Sequence, residues 1–273
     1  HRTSRRQRQM CIRDRVSGGN YNVVVGDEAG TAITTADFTV AVGFEAGKSV
    51  TTGLYNTLLG GRAGDLVSEG AENIAVGVNA LGGDTLGSKS VAVGMGTLQT
   101  QNFTTATDSN NTAVGYNAGL SVTTGTSNTL FGTQAGDAIT TGAENVAVGV
   151  QALSTEDAHG QNTAVGQQAL RDLNAGATGD NTAVGHVAGR LMTTGIRNTL
   201  IGSGAGDALT DADSNVAIGY LSLTTDTLGS RAVAVGQGAL FSQNFTTATN
   251  SYNVAIGYET GGAITTGTFN TLI

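Results

Sequence analysis

Asn145-Val146-Ala147-Val148-Gly149 is answered seventeen residues later by Asn162-Thr163-Ala164-Val165-Gly166, and this echo runs the length of the chain. The motif glycines fall at 26, 43, 60, 77, 94, 115, 132, 149, 166, 185, 202, 219, 236 and 257. Most spacings are 17; those after Gly94, Gly166 and Gly236 are 21, 19 and 21. Four residues before the glycine stands Asn in twelve of fifteen coils, the exceptions being Thr39, Ser90 and Ala232. One before it the residue is always apolar; two before, it is Ala, Leu or Val. A repeat this regular is the mark of a solenoid.

The apolar runs are short, bounded by Gly, rich in Val and Thr, and without a 3.6-residue period, so strands are expected rather than helices. Each coil reads as two short strands joined by turns, many through Thr-Thr-Gly, as at Thr123-Thr124-Gly125. Stacking pairs each strand with its copies above and below and sets like side chains in columns. The Asn column suits a tight turn, because Asn tolerates left-handed backbone and its amide can bond up the stack. Successive strand residues face opposite ways, yet Ala147 and Val148, or Ala183 and Val184, are both apolar. A strand apolar on both faces is normally covered on both. One face lines the coil interior, and the other is expected to pack against a second chain.

A longer period overlies the first. Four residues after the glycine the sequence runs Gly47, Gly64, Leu81, Leu98, then Gly119, Gly136, Leu153, Leu170, then Gly189, Gly206, Leu223, Leu240. Leu replaces Ala two before the glycine at Leu58, Leu130, Leu200 and Leu272, once per four coils. Superrepeats of four coils therefore run over about 39–110, 111–180 and 181–252, each closed by an insertion. About fifteen coils at about 4.8 Å per rung make a rod about 70 Å long.

Composition agrees. There are 42 Gly, no Pro and no Trp, and no apolar run long enough for a membrane helix. Residues 5–14 resemble a translated sequencing-library adapter, so residues 1–15 are set apart as a non-native, disordered segment. That segment holds the lone Cys11 and six of the thirteen Lys and Arg. The repeat domain, 16–273, then carries seven basic and twenty acidic residues, which argues against a nucleic-acid partner. Asn270-Thr271-Leu272-Ile273 begins a further coil, so the domain reads as truncated at its C-terminus.

The N-x-A-V-G-x-x-A pattern resembles the YadA-like heads of trimeric autotransporter adhesins and the repeat regions of phage tail fibres. The resemblance covers residues 20–273. It implies a left-handed parallel β-roll and a homotrimer. The Thr-Thr-Gly turns and Asn198-Thr199-Leu200-Ile201-Gly202 look more like tail-fibre repeats; the usual adhesin coil is shorter. The function expected is a non-enzymatic shaft, extracellular on a virion or a bacterial surface, that attaches to a host glycan or protein receptor. An ice- or polysaccharide-binding solenoid is the alternative.

Chemical motifs are weak. Gly43-Phe44-Glu45-Ala46-Gly47-Lys48-Ser49 is one residue short of a phosphate loop, and Gly202–Gly206 lacks the third glycine and the helix of a dinucleotide site. Thr210–Asn215 reads as a solvated acidic turn rather than a calcium loop. His159 and His186 occupy unrelated coil positions. No catalytic, cofactor or metal residues are expected, no cofactor is called for, and no membrane contact is expected within these residues. The insertions carry the candidate receptor contacts: Asn102, Phe103 and Thr104, and Asn244, Phe245 and Thr246. The alternative for the two Phe is that they fold back over the coil edge.

Overall fold

The structure is a computed structural model that describes residues 19–176 and 178–273. The segment 1–15 lies outside the described residues. The chain is an all-β parallel solenoid. Fifteen strands, from Val23–Val25 to Thr271–Leu272, form one sheet in chain order, each pair parallel and in register. Val146, Ala147 and Val148, for example, stand over Thr163, Ala164 and Val165. The extra residues at 21, 19 and 21 do not disturb this register: Val91 still pairs with Thr112, and Val233 with Val254.

Among the described residues most coils hold a single strand, of three residues except at Thr271–Leu272, and a second, two-residue strand forms only at the loops that close the first and third superrepeats. The rest of the coil winds, because it contains left-handed residues. In the Gly43 coil these are Glu45 and Gly47, both at φ 55°. Rung-to-rung bonding persists nonetheless. Glu45 N donates to Asp27 O, Gly47 N to Ala63 O and Ser49 N to Asp65 O. The wound segment thus satisfies its backbone as a strand would, which a buried turn requires.

The motif glycine is fixed by close approach. Gly115 sits at φ 141°, and a Cβ on it would stand 2.4 Å from the carbonyl oxygen of Gly132. The Asn column bonds up the stack as expected. Asn128 N donates to Asn111 Oδ1 at 2.9 Å, and Asn111 Nδ2 donates to Gly125 O at 2.7 Å. The left-handed residue is the one before the Asn, as at Ser127 (φ 59°) and Glu144 (φ 61°). Where Thr39 replaces Asn, its buried hydroxyl finds no partner.

The four-coil cycle is a volume exchange. A Cβ on Gly47 would meet Leu58 Cδ1 at 2.8 Å, and one on Gly64 would meet Leu58 Cδ2 at 2.7 Å. Leu58 therefore fills the interior of two coils from the strand. In the next two, Ala75 and Ala92 leave the space to Leu81 and Leu98 from the turn, all fully buried. Leu130 and Leu200 repeat the arrangement against Gly119, Gly136, Gly189 and Gly206. The core is one continuous cluster down the rod.

Candidate functional site

Two surfaces can carry function: the outer face of the sheet and the loops that close the superrepeats. On the sheet, the central residue of each complete strand is buried and its neighbours face outward, as in Val146 to Val148. The outward columns stand one and three residues before the glycine. They hold only Val, Ile, Leu, Thr and Phe131, with no charge on any rung. Many are substantially exposed, among them Val23, Ile74, Phe131 and Ile201. Exposed aromatics flank this face near both ends. Tyr21, Phe38 and Tyr55 stack at 4.8 and 5.3 Å, and Tyr252 stacks on Phe269 at 5.1 Å.

The loops are organised from inside. Asp84 is fully buried and receives Gly87 N (3.0 Å), Gln101 Nε2 (2.6 Å) and Phe103 N (3.2 Å). Gln101 in turn accepts from Asn111 Nδ2 at 2.9 Å. The third superrepeat repeats this network: Asp226 receives Gly229 N (3.1 Å), Gln243 Nε2 (2.6 Å) and Phe245 N (3.0 Å). In both loops a short second sheet forms, Gly87–Ser88 with Thr107–Asp108 and Gly229–Ser230 with Thr249–Asn250.

This network sets the placement of the candidate contact residues. Phe103 and Phe245 are each only 5 % exposed, so their rings fold back over the coil edge. A Cβ on Gly229 would stand 2.8 Å from Phe245 Cδ2. Asn102 and Asn244 accept from Thr85 and Thr227 hydroxyls at 2.9 and 3.1 Å. Thr104 and Thr246 are exposed and Asn102 is exposed, whereas Asn244 is half-buried. The two loops lie eight rungs apart, about 38 Å at about 4.8 Å per rung. The Asp and Gln that hold them were missed in the sequence. Their signal was a polar pair, Asp84 with Gln101 and Asp226 with Gln243, in a column that is otherwise apolar except at Glu156, as at Val50, Val67, Val122 and Ile139.

The remaining motifs are engaged structurally. Lys48, in the loop resembling a phosphate site, pairs with Glu28 at 2.5 Å and Glu45 at 2.8 Å, and these contacts hold its ammonium well above the usual lysine range. In the acidic turn, Asp211 accepts from Thr194 Oγ1 at 2.7 Å and Asp213 from Ile196 N at 2.9 Å. His186 is exposed, whereas His159 Nδ1 lies 2.8 Å from the buried Glu156. Among the described residues no helix is long and apolar enough to cross a membrane.

No protein-family model matches the chain, and neither a curated protein nor a solved structure matches it. The class is thus defined by the fold alone: a parallel β-solenoid repeat protein with an uncharged outer sheet face.

Proposed function

We propose that this chain is a non-enzymatic shaft of an extracellular attachment fibre, a phage tail fibre or bacterial surface adhesin, built as a homotrimer. The observation that carries the reading is the uncharged outer face of the fifteen-rung sheet. A strip about 70 Å by about 10 Å offers roughly 700 Å² per chain, close to the roughly 800 Å² per partner of stable interfaces. A second copy is the occupant that fits best, since it brings the same rung spacing and the same absence of charge. The work of such a fibre is mechanical. It holds a distal tip away from its base and adds weak contacts through exposed loop residues such as Thr104 and Thr246. Repetition over three chains turns weak contacts to a host glycan or protein receptor into avidity.

The test is mass by light scattering on the full chain. A trimer is expected, and Val148→Lys with Val165→Lys should dissociate it, because each charge would be forced into an apolar contact. A clean wild-type monomer sinks the reading.

A second reading has one observation behind it. The outward column three before the glycine carries Thr57, Thr112, Thr129, Thr163, Thr182 and Thr199, as an ice- or polysaccharide-binding face would. Val40, Ile74, Val91 and Val146 interrupt it. Thermal hysteresis of the purified chain would favour this reading over the fibre.

A further inference from the structure

Around Gly82 several oxygens face one open volume. A Cβ built on Gly82 would stand 3.2 Å from Asp65 Oδ1, 3.4 Å from the Asn79 carbonyl oxygen and 3.6 Å from the Arg62 carbonyl oxygen. Among the described residues neither carbonyl accepts a hydrogen bond. No side chain hydrogen-bonds the Asp65 carboxylate among the described residues, and burial raises its pKa despite the nearby Arg62 and Lys48. Gly83 and Gln99 complete the lining of a recess of about 290 Å³. The one cation on its wall is turned to other partners. Arg62 Nε donates to Glu45 Oε2 at 2.7 Å, and its guanidinium lies 5.8 Å from the centre of the Phe44 ring.

The recess is particular to the first superrepeat. Ser154-Thr155 and Thr224-Thr225 stand where Gly82-Gly83 does here. A Cβ on Gly83 would lie 2.7 Å from the Gln99 carbonyl oxygen in this coil. Gly82 meets no such backbone approach. It is not in the left-handed region, and its nearest clash would be the movable Asp65 side chain. What glycine at 82 does achieve is to leave three oxygens facing one open volume.

We propose that this recess binds a hydrated divalent cation of the calcium type. The donor set is all oxygen, one carboxylate with backbone carbonyls and the side-chain amides of Asn79 and Gln99 beside them, which suits a hard cation and offers nothing to a soft one. The volume leaves room for the water ligands that complete six to eight positions. One carboxylate sets the affinity in the weak range of extracellular calcium modules, about 10⁻⁴–10⁻³ M.

The test is calorimetric titration of the full chain with calcium chloride, against magnesium chloride and choline chloride at matched ionic strength. Saturable calcium uptake in the millimolar range is expected. Gly82→Ser, which places a hydroxymethyl group in the recess, and Asp65→Asn should each weaken it at least tenfold. Asp137→Asn should leave it unchanged. Circular dichroism of each variant confirms that it is folded, and Asp65→Asn carries the test if Gly82→Ser does not fold. No calcium uptake by the wild type, an equal response to magnesium or choline, or full binding by folded variants would each overturn the proposal.

Discussion

The first and second superrepeats close their cycles at the same place with different chemistry. In the first, Asp84 is bonded by Gln101 Nε2 and the amides of Gly87 and Phe103. In the second, Glu156 stands for the Asp, Leu173 for the Gln and Ala175 for the Phe. Glu156 takes His159 N at 3.1 Å and His159 Nδ1 at 2.8 Å, with the Ala175 amide distant at 3.4 Å. The Asn column changes with it: Asn181 N reaches Asn162 Oδ1 at 3.3 Å, against 2.9 Å for Asn128 N on Asn111. The short second sheet found in the first and third loops is not found among the described residues of this one. The difference teaches that the loop is built from the inside. A buried carboxylate with an amide side chain reaching across the coil, capped by an aromatic ring, orders the insertion; a longer carboxylate with a local histidine holds it by fewer cross-coil bonds.

The largest effect should come from removing the cap. Phe103→Ala and Phe245→Ala each turn a loop of the first kind toward the second, at a cost of about 3–5 kcal/mol. Ala175→Gly, at the equivalent position, should cost under about 1 kcal/mol. Urea denaturation of the three variants measures this, and equal midpoints would break the comparison. The same experiment separates capping from receptor contact, because a contact residue could be removed without loss of stability.

Next comes the amide. Gln243→Leu imports the residue of the second superrepeat and takes from Asp226 Oδ2 its amide donor and from Asn253 Nδ2 one of its two acceptors, for about 1–3 kcal/mol. Hydrogen exchange should quicken at Phe245 and Gly229, whose amides bond to Asp226. His159→Ala should cost less, about 1 kcal/mol, since the backbone amide of residue 159 still serves Glu156. Should His159→Ala prove the more damaging of the two, the second loop is the better ordered and the comparison inverts.

The solenoid itself was legible because its determinants repeat. The Asn, the apolar pair and the glycine each recur often enough to be read as columns, and the Gly/Leu alternation exposed the four-coil cycle. The second strand expected in each coil forms only as two-residue pieces at two of the closing loops, because left-handed residues such as Glu45 and Gly47 wind the chain after the motif glycine. The loops were located, and both readings of their Phe, exposed contact or cover for the coil edge, were open in the sequence; the carboxylate nineteen residues earlier, which bonds the Phe amide, is what turns the ring inward. The recess at Gly82 was invisible for a related reason. It depends on oxygens from two neighbouring coils, and nothing local marks them.

The smallest effect compares the second superrepeat with the third. Asp137 and Asp207 occupy the same place, and burial raises both carboxyls above the ordinary aspartate range. Asp207 is answered by Arg190, whose Nη2 donates to Oδ2 at 3.1 Å; Nε is as close to Oδ1 but poorly aligned. Asp137 has only Gln134 Nε2 at 3.5 Å, and its Oδ1 is buried without a partner. A raised folded-state pKa means the folded chain keeps a proton where the unfolded chain has lost it. Stability from this group is therefore greatest below the unfolded value of about 3.9 and falls as pH rises through the folded value. At neutral pH the ionised Asp137 is a small liability. Asp137→Asn should raise stability at pH 7 by up to about 0.5 kcal/mol and flatten the acid side of the pH profile. Asp207→Asn should give no gain, because what it recovers in desolvation it loses at Arg190. A gain of the same size from both substitutions would mean that the Arg190 contact contributes nothing, and that the two superrepeats are electrostatically alike at this position.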